Sequence, residues 1–105
     1  QNLVRGNLTT LWGALVALTP ASIVANTAAE QTFTVTGVKT GDVILANKPT
    51  AQAGLGVVNV RASAADRVAI TFVNATASTI TPTSESWTFV IVRPENQPLP
   101  SIVSP

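Results

Sequence analysis

The sequence predicts an all-β, single-domain fold, a jelly-roll-like β-sandwich or small barrel. Three observations predict it. Short stretches alternate apolar and polar residues with the period of two that sends one strand face inward. Gly, Pro, Asn and Asp cut these stretches apart at the close spacing of an all-β domain. No stretch longer than a turn combines helical spacing with a cap signal. At 105 residues the chain supports one domain. The expected parts are an N-terminal arm and first strand (1–19), a sandwich (20–94) and a Pro-rich tail (95–105).

No charged residue occurs from Gly6 to Ala29, and Leu8–Leu18 reads LTTLWGALVAL. Three readings compete for this stretch. A secretory signal would use Arg5 as its basic end and Leu11–Leu18 as its apolar run, but one Arg is a thin basic region. A membrane helix needs about 20 mostly apolar residues, and Thr9, Thr10, Gly13, Thr19, Pro20 and Ser22 interrupt the span. A strand with an arm is preferred, because Val16 and Leu18 flank Ala17 in β fashion and Pro20 then breaks the run.

Gln31–Thr36 (QTFTVT) places Phe33 and Val35 on one face, and Gly37 ends it. Lys39-Thr40-Gly41 makes a turn. Asp42–Ala46 (DVILA) is apolar after its first residue and reads as a strand covered on both faces, or turned inward at a barrel corner. The loop 47–56 holds Pro49, Gly54 and Gly56. Val57–Ala62 is the next strand, and Ser63–Asp66 is a tight turn whose Ser63 or Asp66 bonds nearby amides. Arg67–Asn74 carries Val68, Ile70 and Phe72 on one face. Ala75–Pro82 is a connection with a short edge strand around Ile80. Trp87–Arg93 closes the domain, with Trp87, Phe89 and Ile91 on one side, and Pro94 stops it. The tail ENQPLPSIVSP has three prolines and favours an extended course, loose or laid along a neighbour.

Composition bears on function. The chain is 46% hydrophobic and only 10% charged, where about a quarter is ordinary. So little like-charge repulsion favours association with copies or partners. The six basic residues, Arg5, Lys39, Lys48, Arg61, Arg67 and Arg93, form no run, so phosphate-driven binding of nucleic acid is not expected. There is no histidine and no cysteine. A Ser–His–Asp or Cys–His site is therefore excluded, as are disulfides and thiolate metal sites. The lack of cysteine fits a reducing cytosol.

What remains for chemistry is thin. A Ser–Lys pair would use Lys39 or Lys48, but nothing nearby singles out a nucleophile. A carboxylate pair would draw on Glu30, Asp42, Asp66, Glu85 and Glu95, most of them at strand ends or turns. No Asp-rich loop suits calcium, and Gly54-Leu55-Gly56 is no phosphate cradle. No cofactor and no catalytic residue is expected. Two glycan-acceptor patterns occur, Asn7-Leu8-Thr9 and Asn74-Ala75-Thr76. Trp87 is expected in the core; Trp12 is either core or an anchor in a partner's pocket.

Pro20–Pro94 resembles a family of tailed-phage head proteins, the cement or decoration proteins. Three pieces carry the resemblance: Asn26–Phe33 (NTAAEQTF); Gly37 with Gly41-Asp42-Val43 leading to Asn47-Lys48-Pro49; and Ala64-Ala65-Asp66-Arg67 leading into Ile70–Thr76 (ITFVNAT). The resemblance implies an outer-surface β-domain that binds between capsomers and stabilises contacts between major capsid protein subunits. The implied partner is the major capsid protein; the low charge adds other copies of the chain as an expected partner, and no specific nucleic acid and no membrane are expected from the residues. The implied location is the capsid exterior of a virion assembled in a bacterial cytoplasm. The expected contact residues lie at the two ends: Leu3, Val4, Arg5, Leu11 and Trp12 in the arm, and Leu99, Ile102 and Val103 in the tail. The rival reading is a carbohydrate-binding or adhesin-like module, which needs an exposed aromatic platform. An enzyme comes third.

Overall fold

A computed structural model describes residues 8–94 of the chain. Six strands follow in order: β1 (Leu8–Leu18), β2 (Thr27–Thr34), β3 (Val43–Asn47), β4 (Leu55–Ala64), β5 (Arg67–Asn74) and β6 (Glu85–Pro94). They form two three-stranded antiparallel sheets in a sandwich-like arrangement. One has the order β1-β6-β3 and the other β2-β5-β4. The uncharged segment Leu8–Leu18 is therefore a strand, paired with β6 from Leu8 opposite Pro94 to Leu18 opposite Glu85.

The central strands β5 and β6 carry the bulkiest inward residues, as strands flanked on both edges should. Val68, Ile70 and Phe72 of β5 meet Trp87, Phe89 and Ile91 of β6, all fully buried. Trp87 stands edge-on to Phe72, with ring centroids 5.9 Å apart at 82°, and lies nearly parallel to Phe89 at 6.3 Å. Such aromatic pairs add about 1 kcal/mol each beyond their area burial. The Trp87 indole N–H is buried with no hydrogen-bond partner among the described residues. Replacing Trp87 with Phe removes that orphan donor as well as volume. The expected loss is under about 2 kcal/mol, against about 4 for Trp87→Ala. Urea melts of the two variants check the gap.

The boundaries differ from the sequence pattern in instructive ways. β2 starts at Thr27, not Gln31, because β5 offers eight residues to pair, ending with Asn74 opposite Thr27. Alanines 28 and 29 are weak β-formers and hid the extension. β2 also ends early. Val35 leaves the ladder to donate its N–H to Asp66 O, and Gly37 turns the chain at φ 99°, a conformation that favours glycine. β4 is longer at both ends than expected, with register irregularities at Val57/Asn59 and Ala62/Ala64. Around Ile80 there is a single bridge to Ile23.

The reading of DVILA as doubly covered is corrected: in β3 only Ile44 is buried, while Val43 and Leu45 are more than half exposed. The strand lies at a sheet edge, and nothing among the described residues covers its outer face.

Two polar clamps hold the loops. Asp66, at φ 60°, accepts from the Gly37 N–H at 2.7 Å and donates its own N–H to Val38 O at 2.7 Å. The tip of the β4–β5 hairpin is thereby fixed to the segment after β2. Asn74 is fully buried. Its amide donates to Ile23 O at 2.9 Å and Ser78 O at 2.8 Å, and its oxygen accepts from the N–H and hydroxyl of Thr76. The Asn74-Ala75-Thr76 pattern is therefore a structural knot whose nitrogen is already engaged, not an accessible glycan acceptor. Asn7 lies outside the described residues.

Candidate functional site

The site is built by strand parity. On β1 the even residues Trp12, Ala14, Val16 and Leu18 face inward, and Leu11, Gly13, Leu15 and Ala17 face out. On β6 the outward residues are Ser86, Thr88, Val90 and Val92; on β3 they are Val43, Leu45 and Asn47. The register aligns them across the sheet. Leu11, Val92 and Val43 form one row; Gly13, Val90 and Leu45 the next; Leu15, Thr88 and Asn47 a third. Leu11 is 52% exposed, Leu15 73%, Val43 54% and Leu45 59%. Together they make an exposed apolar patch across the sheet, and contiguous exposed apolar surface is a mark of interaction sites. None of these outward residues is charged.

The outer face of the other sheet is different. Thr32, Thr34, Glu30, Arg61, Arg67, Asn59 and Thr71 line it. Arg61 reaches across β5 to Glu30 with two bonds of 2.9 Å. Arg61 and Thr32 flank Ala69 in the register, and Ala69 is fully buried although it holds an outward position. The molecule thus has one face that carries an ion pair, with Val58 of the same sheet 61% exposed, and one face whose outward residues are uncharged and mostly apolar.

Of the end residues expected to make contacts, Leu11 lies on the apolar face. Trp12 points the other way: it packs against the core, and a Cβ at Gly37 would sit 3.4 Å from its ring. Leu3, Val4, Arg5, Leu99, Ile102 and Val103 lie outside the described residues. Both chain ends leave from the same end of the apolar sheet, where Leu8 opposes Pro94. Sequence reasoning missed Leu15, Val43, Leu45, Val90 and Val92. The signal was there: DVILA and WTFVIVR are apolar at both parities, which means either burial on two sides or a face left for a partner.

The described acids are each held by separate partners. Asp42, its side chain 1% exposed, receives Arg93 Nε at 2.8 Å and the Lys39 N–H at 3.0 Å. The Arg93 bond, against the opposing pull of burial, holds its carboxyl below the usual range. Arg61 does the same for Glu30. Burial pushes Glu85 up, but hydrogen bonds from Thr50 and Lys48 and the charge of Lys48 outweigh it and hold it low. A general acid for sugar chemistry needs a carboxyl raised, not lowered. Among the described residues no group of three or more His, Cys, Asp or Glu is placed to hold a metal ion. Among the described residues no helix is long and apolar enough to cross a membrane.

These shifts fix a pH profile. A carboxyl whose folded pKa lies below its unfolded value stabilises the fold above the unfolded value and loses that contribution as pH falls through the folded one. The unfolded references are 3.8 for Asp42 and 4.5 for Glu30 and Glu85. With no histidine, Tm is expected to be flat from about pH 8 to 5.5 and to fall below about pH 4.5. Calorimetry across that range checks it, and Asp42→Asn should flatten the acid limb. No family model, curated protein or solved structure matches the chain.

Proposed function

We propose that the protein is a non-catalytic capsid cement protein. It docks on the outer surface of a tailed-phage head and stabilises contacts between major capsid protein subunits. The observation that carries the reading is the uncharged apolar face of the β1-β6-β3 sheet, exposed in a chain that otherwise builds a regular core. Such a face gains free energy when a neutral surface covers it, and low charge lets many copies sit close together on a lattice. Many modest contacts, repeated over a shell, then resist internal pressure together. Leu11 belongs to this face. The segments carrying Leu3, Val4, Arg5 and Leu99, Ile102, Val103 start from one end of it, and they are proposed to extend the contact over neighbouring subunits.

The winding is proposed to be of jelly-roll type, supported by its nested pairing of β1 with β6 and β2 with β5. The carbohydrate-binding alternative loses its footing on the aromatics. All five are turned inward: Phe72, Trp87 and Phe89 are fully buried, and Trp12 and Phe33 pack against the core. None is left as a stacking platform.

The test is co-sedimentation of the protein with purified heads of the phage that encodes it, stripped of their own copies. Saturation at a fixed ratio to the capsid subunit is expected. No binding to heads, with specific binding on a glycan array, would contradict the reading.

A further inference from the structure

The geometry points to a second site on this molecule: the free edge of β1 is a self-pairing edge that joins two copies through antiparallel β1–β1 hydrogen bonds. The inference goes beyond the docking face and does not rest on it. It concerns the isolated protein.

Among the described residues the two sheets have four edges, and three are protected. β3 is only five residues long. β4 is broken by two register irregularities and carries Arg61. β2 carries Glu30, and its Gln31 side chain ties Ala21 alongside with bonds to both its N–H and its carbonyl. Short length, charge and bulges are the usual devices that keep sheet edges from pairing with other chains. β1 uses almost none. It has eleven residues, no charge and no proline, and its only irregularity is at the Leu8/Thr10 end. Its inner edge pairs with β6, and no backbone partner for its outer edge occurs among the described residues.

The sequence of β1 suits a second copy of itself. Across a two-fold axis identical residues approach each other, so any charge near the axis would meet its own sign. β1 has none to repel. An axis at Gly13 pairs all of Leu8–Leu18, placing Leu11 opposite the partner's Leu15 and Gly13 opposite the partner's Gly13. Facing positions in this register share parity, so groups directed at the free edge meet groups directed at the free edge. Leu15, the most exposed large apolar side chain among those described, gains a cross-strand neighbour on the apolar face. Two three-stranded sheets thereby become one six-stranded sheet, with the uncharged outer face continuous across it.

The absence of cysteine makes the test clean. Gly13 has ordinary φ and room for a side chain, with Phe89 O 3.5 Å from an added Cβ. Gly13→Cys is therefore expected to fold, and to form an intermolecular disulfide or a short bis-maleimide cross-link. Its rate should exceed that of Thr34→Cys, on the exposed edge of the other sheet, at least tenfold. Sedimentation equilibrium of the full chain is expected to give twice the 10.8 kDa chain mass. Leu15→Lys should shift it to the monomer at unchanged circular dichroism. A full chain that stays monomeric at 100 μM overturns the inference, whatever then covers β1. So do equal cross-linking rates for Gly13→Cys and Thr34→Cys, and a dimer that survives Leu15→Lys.

Discussion

Changing Val43 and Leu45 together to Asp is expected to abolish the proposed docking on phage heads and to leave the domain folded. Both side chains point out from an edge strand and are more than half exposed, so neither supports the core. The cost to stability is expected to stay below about 1 kcal/mol in total, set by the poorer strand propensity of Asp. In the docked state the same two positions would bury carboxylates with no partner, which costs several kcal/mol. A loss of 3 kcal/mol is already more than a hundredfold in Kd. Binding to stripped heads, read beside a thermal melt of the same sample, separates the two effects. Ser86 and Asn47 on the same face are already polar, so Ser86→Asn serves as a control that should bind as wild type. The substitutions lie on β3, away from the β1 edge, so dimer formation is not their target.

Replacing Asn74 with Ala is expected to destabilise the domain by about 3 kcal/mol, enough to lower Tm by more than about 10 °C in a domain of this size. Asn74 is fully buried at the end of β5 and makes four hydrogen bonds. It ties the segment around Ile23, which bridges to Ile80, to the 75–78 turn. Ala leaves the Thr76 N–H without its acceptor and removes a donor from two carbonyls. Asp restores the acceptor but not the donor, and it would bring a charge into a buried site, so it should be worse than Ala at pH 7. Calorimetry of the three proteins checks the order Asn above Ala above Asp. Equal melting of Asn74→Ala and wild type would mean that this network does not hold the sandwich closed.

The strands whose two faces meet different environments were legible. Arg67–Asn74 has the same limits in sequence and structure, because Val68, Ile70 and Phe72 alternate with smaller or polar residues. Trp87, Phe89 and Ile91 read as core for the same reason, and they are. Alternation failed where both faces are apolar. Val43–Asn47 and the outward valines of β6 look buried by composition, and only the register places Val43, Leu45, Val90 and Val92 in rows with Leu11. Side-chain chemistry could not separate a second core layer from a face awaiting a partner. Trp12 was ambiguous for a related reason: a large aromatic in a strand serves either face, and only its parity with Val16 and Leu18 sends it inward. Long-range clamps were illegible altogether. Nothing near Asp42 in sequence points to Arg93, and Asn74 reads as a strand end or a sugar acceptor until Ile23 O stands beside it.

The account rests on the uncharged outer face of the β1-β6-β3 sheet being the side of the molecule that meets the shell. A reconstruction of heads rebound with the purified protein tests this directly. The domain should sit on the capsid exterior with Leu11, Val43 and Leu45 of the β1-β6-β3 sheet against subunit surfaces and the Glu30–Arg61 pair facing solvent. A bound domain turned the other way, with its polar sheet on the shell and the apolar face open to water, would contradict it.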